Sequence, residues 1–406
     1  MLNTRLSRFT GGLFAPHRKS DIGETADRLR RDGIDILAWA DPFAPDRSLP
    51  KNFRKALHAE IEGGAPEHYT VPVGSLELRQ ALARKLESQN GIIADPSRNI
   101  VVTPGADSGL LMCMMALLNP GDEVLVPEPG FPAAFSNCEI LGAVPVPLKM
   151  TAESGYQLDF DELERAVTPM TKMVFIAHPN NPTGTVFRKS VLQELARFVV
   201  KHDLLLLCDQ AFEDHIFDGI EFVSPAALPG MADRTVTVFS FSKGYGLSGF
   251  RVAYIHACAE IMDVFYGNVT TVCGATSSLA QRLALAALED EEVLTSYYRK
   301  LEYRRNLLFD TLSTVPGVRM QRSESGILSW IDVSDLGTSA EVVDHLLRTA
   351  KVLVNDGTAY GPHGAGHLRL VHGCILDDDR AAEVFQRIRT SLLQLPVRGL
   401  ATATAS

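Results

Sequence analysis

Residues 204–209 read LLLLCD, and the chain continues QAFEDH. Five apolar residues in a row leave no polar face, so as a strand this stretch must be covered on both sides. Such a strand belongs in the middle of a largely parallel sheet sandwiched between helices. The same grammar extends outward. Besides Leu204–Asp209, strands are expected at Asp122–Pro127, Lys172–His178, Thr235–Phe241 and Arg251–Ile255. Helical patterns fall at Ser75–Ser88, Ala106–Leu118, Asp159–Val167 and Arg188–Lys201. This alternation gives a doubly wound α/β sheet.

From Glu291 a long helical pattern runs to Leu312, and then the signal changes. Short strands (Leu328–Val333, His367–Val371) mix with helices (Ala340–Ala350, Asp378–Leu393), which reads as a smaller α+β domain. The expected organisation is an N-terminal arm over residues 1–45 packing on the small domain, a large domain over 46–290, a small C-terminal domain over 291–395, and a disordered tail over 396–406 ending ATATAS.

Composition narrows the function classes. The 406 residues are 46% hydrophobic and 22% charged, ordinary values for a globular chain. Lys and Arg number 39 against 49 Asp and Glu, and the net charge of −10 is spread along the chain. Nucleic-acid and anionic-membrane binding both need a concentrated basic footprint, so neither partner is expected. The basic cluster Arg28, Arg30 and Arg31 reads as one solvated helix face. Six scattered cysteines form no C-x-x-C, which argues against a zinc or disulfide framework and for a reducing cytoplasm. No metal site is expected. No apolar run approaches the roughly 20 residues of a membrane span, and the N-terminus lacks a signal-peptide core.

In a doubly wound sheet, ligands collect at the carboxyl ends of the strands. The strand VTVFSF ends in Ser242 and Lys243, followed by a loop that reaches Arg251. A lysine there suits a phosphate clamp or a Schiff-base amine, and the plainer reading is a lysine reaching solvent. Ser240, Ser242 and Arg251 add hydroxyls and a guanidinium fork, which suit a phosphate. Gly244, Gly246 and Gly249 spell G-x-G-x-x-G, but so late in the chain and leading into another strand they do not make a dinucleotide fold. Asp209 ends its own strand and either caps a following helix or holds a ligand donor. HPNNPTG at 178–184 is a rigid turn able to aim a polar side chain, and TPGADSG at 103–109 opens a helix whose amides at Gly105, Ala106 and Asp107 form a phosphate nest.

Seven motifs now stand in order: YTVPVGSLELR (69–79), TPGAD (103–107), PEPGF (127–131), NNPTG (180–184), CDQAF (208–212), SFSKGYGLSGFR (240–251) and GHLRL (366–370). With them the chain, from about residue 35 to 393, resembles the pyridoxal-phosphate enzymes of fold type I, specifically the class I/II aminotransferases. The resemblance implies a large domain with a mixed, mostly parallel seven-stranded sheet and a smaller α+β domain. It implies pyridoxal 5'-phosphate as cofactor. Lys243 would form its Schiff base and shuttle the proton, Asp209 would keep the ring nitrogen protonated, Asn181 would donate to the ring's O3′, and Phe131 would stack on the ring. Gly105, Ala106, Asp107, Ser240, Ser242 and Arg251 would hold the phosphate, with Tyr69 reaching across from a second subunit of a homodimer with shared active sites. Arg369, together with Asn181, would grip the substrate α-carboxylate.

The sequence departs from that pattern in several places. The position three after Asp209, normally a tyrosine beside O3′, is Phe212; His178 replaces an asparagine; NDG at 355–357 lacks the usual proline; and ADPFAPD at 40–46 replaces the N-terminal GxPD-like turn. His178, His215 and His372 are read as structural, with His178 the candidate for a catalytic role because its strand end faces the cofactor side.

The function expected from the resemblance is transfer of an L-amino acid's amino group to a 2-oxo acid. No arginine lies between Arg251 and Arg282, where aspartate-type relatives place a second carboxylate-binding arginine, so a neutral, aromatic or specialised side chain is favoured over a dicarboxylate. The alternative is a lyase, replacement enzyme, decarboxylase or oxidase on the same cofactor, raised by Phe212. A non-catalytic effector domain of a transcription regulator is disfavoured, since about 35 residues precede the core and a basic DNA-binding module needs roughly 60.

Overall fold

A computed structural model of the protein describes residues 22–43 and 48–398. Expectations for residues 1–21, for 44–47 at the end of and just after the ADPFAPD turn, and for 399–406 lie outside the described residues.

Seven strands form the main sheet: β1 (Ile100–Thr103), β2 (Glu123–Glu128), β3 (Val144–Lys149), β4 (Thr171–Ala177), β5 (Leu205–Asp209), β6 (Thr235–Ser240) and β7 (Ala253–His256). Their order is β1-β7-β6-β5-β4-β2-β3. β7 runs antiparallel to both neighbours and every other pairing is parallel. The LLLLCD strand sits at the centre. Leu205 and Leu207 pack toward the helices Ala106–Leu117, Pro132–Leu141 and Ala259–Asn268, while Leu206 and Cys208 pack toward Phe160–Ala166 and Lys189–Lys201. Each fully buried leucine contributes about 1.5–3 kcal/mol relative to exposure, so both faces of this strand hold the helices down.

Two strands lie beyond those expected. β1 is only four residues long. β3 reads VPVPLK, and two prolines argue against a central strand. It is an edge strand. The amides of Val144 and Met150 donate to Asp122 and Glu128 at 2.8 and 2.7 Å, so even-numbered amides face β2. Pro145 and Pro147 therefore lack their N–H on the outer side, where no ladder bond is lost.

The C-terminal region carries a second, antiparallel sheet: β8 (Arg319–Met320), β9 (Leu328–Asp332), β10 (Asn355–Asp356) and β11 (His367–Val371), in the order β10-β11-β9-β8. Helices Glu291–Leu312, Ser339–Thr349 and Asp378–Leu392 cover it, packing Leu308, Leu346 and Phe385 into one core with Leu370 of β11. Asp35–Ile36 pairs in parallel with Val352–Leu353, which brings residues 37–41 to the groove beside the main sheet.

Register then positions the chemistry. Ala177 is level with Asp209, and Asp209 with Val238, so β4, β5 and β6 end side by side. The turn after β4, the last residue of β5 and the loop after β6 emerge together.

Candidate active site

The cleft at those strand ends encloses about 480 Å³. It gathers Ala106, Asp107, Phe131, Asn181, Asp209, Phe212, Ser240, Ser242, Lys243, Arg251 and Arg369, residues that come from six separate motifs. Gly105 stands just behind, where an added Cβ would lie 2.4 Å from Nη2 of Arg251. Tyr69 does not line the cleft and is fully exposed.

Asp209 is buried at the end of β5, and its Oδ1 accepts the Ala211 amide at 3.1 Å. No helix follows it among the described residues, so the side chain caps a turn instead. Burial pushes its pKa up to about 7; the Ala211 amide and Lys243 oppose this and Asp107 adds to it. A carboxylate this costly to ionise, with no cation bonded to it among the described residues, fits a ligand that brings its own N–H⁺.

Lys243 Nζ donates to the Ala40 carbonyl and lies 5.8 Å from the Phe212 ring centroid. Burial lowers its pKa to about 8, helped by Arg369 and Arg251 and resisted by Asp41 and Asp107. An amine poised there is a competent nucleophile near neutrality.

The anion cradle lies between β1 and β7. Gly105, at φ 90°, turns the chain into the helix Ala106–Leu117, whose first amides carry the positive end of the helix dipole. Arg251, itself left-handed at φ 53°, reaches over that turn; Nη2 contacts Asp107 Oδ2 at 3.3 Å and Nη1 the Ser248 carbonyl at 2.8 Å. Ser240 Oγ accepts the Ser242 amide at 3.1 Å. The Gly244–Gly249 loop leads through the turn Ser248–Phe250 into β7, so its glycines do not open a dinucleotide-binding helix.

Asn181 and Arg369 meet across the cleft. Arg369 Nη1 donates to Asn181 Oδ1 at 3.3 Å, which leaves the Asn181 amide nitrogen as the end able to donate elsewhere. Arg369 is buried, and burial lowers its pKa.

His178 corrects one expectation. It follows β4 but does not face the cofactor side. Its ring stacks between Phe222 and Phe187, at 4.7 and 5.6 Å. Nε2 donates to the Val223 carbonyl at 3.2 Å, Nδ1 accepts the Phe187 amide at 3.3 Å, and burial depresses its pKa to about 3. It is a neutral core residue. His215 and His372 are likewise buried, with pKa values pushed down to about 4 and 3 by burial.

Sequence reasoning missed Trp39, Ala40, Asp41, Ala211, Ser248 and Gly249, which also line the cleft. Asp41 and Ser248 bond to each other through their side chains. Only the ADPFAPD turn hinted at Ala40 and Asp41, nothing at Trp39, and the approach of all three depends on the distant pairing of Asp35–Ile36 with Val352–Leu353.

Comparison with known proteins decides the family. The family description "aminotransferase class I and II" matches residues 42–388. The chain belongs to the class I and II aminotransferases. It is 34% identical over 344 residues to an aromatic-amino-acid aminotransferase of Thermococcus litoralis, covering 83% of this chain and 87% of the relative. An aspartate aminotransferase of Pyrococcus abyssi is 34% identical over 332 residues, with 80% and 84% covered. The crystal structure of an aromatic aminotransferase from Pyrococcus horikoshii superposes with a TM-score of 0.84 at 31% identity, covering 91% of this chain and 98% of the other. The mixed seven-stranded sheet is that of fold type I, and the protein is a pyridoxal-phosphate-dependent aminotransferase. The residues in the cleft fit that cofactor: a buried acid with no cation bonded to it among the described residues, a glycine-lined anion cradle and a neutralisable lysine stand within one cavity.

Proposed function

We propose that this aminotransferase takes the amino group of an L-amino acid with a neutral, aromatic or specialised side chain and passes it to a 2-oxo acid. The observation that carries the reading is the convergence of Lys243, Asp209, Asn181 and Arg369 on one cleft. The relatives' names cover aromatic and aspartate donors alike, so the choice of donor rests on the residues. Trp39, Phe131 and Phe212 give the cleft apolar walls, and residues 252–281 hold no arginine for a second carboxylate.

Pyridoxal 5'-phosphate, when bound, supplies an electron sink that lets a proton leave the donor's α-carbon. Lys243 Nζ would take that proton and return it at C4′, as general base and then acid. Asp209 would hold a proton on the ring nitrogen. Asn181 would donate its amide hydrogens to O3′ while its oxygen keeps Arg369 in place. Phe131 would support the ring face. The amides of Gly105, Ala106 and Asp107, with Ser240, Ser242 and Arg251, would hold the phosphate. Arg369 would present a bidentate fork to the α-carboxylate, which a lysine could not reproduce.

The same reading includes a homodimer in which Tyr69, exposed here, completes the phosphate site of the partner. It also includes a cofactor-binding unit over 46–290, a smaller unit over 291–395 with the N-terminal arm against it, and a cytoplasmic setting suited to six unpaired cysteines.

Cofactor-loaded protein mixed with single L-amino acids should convert its cofactor to the amino form, and added 2-oxo acid should restore it. Release of ammonia and keto acid without an acceptor would instead support lyase or oxidase chemistry, the second reading. Phe212 favours that second reading, since it sets a ring that carries no hydroxyl beside Lys243.

A further inference from the structure

We infer that Asn355 is a positioning residue for Arg369: it blocks one edge of the guanidinium and leaves the other as the seat for a substrate carboxylate. This rests on the proposal that Arg369 grips that carboxylate.

β10 and β11 pair so that Asn355 lies directly opposite Arg369. Asn355 Oδ1 accepts from both Nε and Nη2, at 3.1 and 2.7 Å, and so caps the Nε–Nη2 edge with a single oxygen. The second Nη2 hydrogen goes to the Ala38 carbonyl at 2.8 Å, and Nη1 gives one to Asn181 at 3.3 Å. A guanidinium carries five N–H donors. Those bonds use four, leaving one Nη1 hydrogen for the cleft among the described residues. Tyr360 closes the remaining approach: its ring centroid is 5.0 Å from the guanidinium carbon, and its hydroxyl donates to the same Asn355 oxygen at 3.3 Å. A carboxylate must therefore arrive end-on, across Nη1 and Nη2, exchanging with the Ala38 or Asn181 contact.

Charge explains why the residue is asparagine. Among the described residues none of the acceptors on Arg369 is anionic, so no carboxylate is bonded to the buried cation and a ligand can bring one. An aspartate of the same shape would hold the edge equally well and cancel the charge that attracts the substrate.

The test uses cofactor-loaded protein and two small probes. Propanoate, a carboxylate without an amine, is titrated through the cofactor's visible spectrum, and L-alanine gives KM and kcat. Asn355→Asp should raise the propanoate dissociation constant and the alanine KM by about 100-fold, through the added buried charge. Asn355→Ala should raise them by about tenfold, through the freed edge, with kcat at saturation within about threefold of wild type for both variants. Arg369→Lys separates the two readings. If it leaves both probes unaffected, the carboxylate assignment fails. If it weakens both while the Asn355 variants stay within about twofold, a span too small for a lost charge-assisted bond, the assignment stands and the role of Asn355 is overturned. An effect confined to kcat also overturns it, and a wild type that responds to neither probe overturns both.

Discussion

Gly105 and Arg251 are packed so closely that a Cβ on residue 105 would stand 2.4 Å from the guanidinium Nη2 and 2.9 Å from Cζ. The turn that opens the helix Ala106–Leu117 and the arginine beyond the lysine loop thus form one unit. Gly105 also sits at φ 90°, a conformation that penalises any side chain.

Gly105→Ala should therefore do two things. Backbone strain and the displaced arginine should cost about 1–3 kcal/mol of stability. Displacing Arg251 should also weaken pyridoxal 5'-phosphate binding by about tenfold or more, since a charge-assisted contact is lost. Absorbance titration of the apoprotein measures the second effect, and unchanged affinity would show that the cradle tolerates a moved arginine.

Asp209 predicts a pH dependence whose sign follows from burial. An acid whose pKa is raised on folding stabilises the fold while it stays protonated, and that contribution is lost as pH climbs through the raised value. With a folded value of about 7, the apoprotein should lose thermal stability between about pH 4 and 7. Asp209→Asn should flatten this decline. Added cofactor should remove it in the wild type, because the ring N–H⁺ then compensates the carboxylate. A wild-type apoprotein whose melting curve matches the asparagine variant across that window would sink the assignment.

Much of this was legible in the sequence, for physical reasons that differ by element. LLLLCD announced a central strand because two-sided burial demands an unbroken apolar run. The long helix at Glu291–Leu312 fell where its pattern placed it. VPVPLK hid its strand, because only the outward register of Pro145 and Pro147 makes it tolerable. Within the site, residues at strand ends could be found locally, as Asp209 and Lys243 were. Asp41 and Asn355 could not, because what they touch is set by pairings between distant segments. His178 misled, since a strand-end position does not say which way a ring turns.

Lys243 gives a kinetic prediction. Its neutral fraction should rise about tenfold between pH 7 and 9 if the amine titrates near 8, so the rate of cofactor capture by the apoprotein should rise alike. Stopped-flow absorbance follows the capture, and borohydride reduction should fix the cofactor to the chain. Lys243→Ala should show neither fixation nor turnover; full activity in that variant would overturn the cofactor chemistry.

His178→Phe should be costly for folding and silent in catalysis. The variant leaves the Val223 carbonyl and the Phe187 amide without their buried partner, worth about 2–5 kcal/mol together. The wild-type ring stays neutral down to about pH 3, so its stabilising contribution persists above the usual histidine range and fades only as pH falls. Chemical denaturation should report the loss, while the pH profile of kcat should keep its shape. A displaced limb in that profile would return His178 to the reaction.

Phe212→Tyr tests what the missing hydroxyl does. Phe212 is buried in the cleft wall, with Lys243 Nζ over its ring at 5.8 Å and Gly326 packed so near that an added Cβ there would lie 2.7 Å from Cδ1. The ring is thus held from both sides, and a tyrosine should take the same seat with its hydroxyl at the rim. A donor beside the ring oxygen favours that oxygen's anion. The spectral titration of the cofactor-loaded variant should therefore move to lower pH, by about one unit for a single well-placed hydrogen bond. If the native phenylalanine diverts the enzyme toward lyase or oxidase chemistry, the tyrosine should also lower the ratio of free ammonia to transaminated product. An unmoved titration midpoint would mean the hydroxyl does not reach the ring oxygen. A moved midpoint with an unchanged product ratio would mean that residue 212 tunes the cofactor without choosing the reaction.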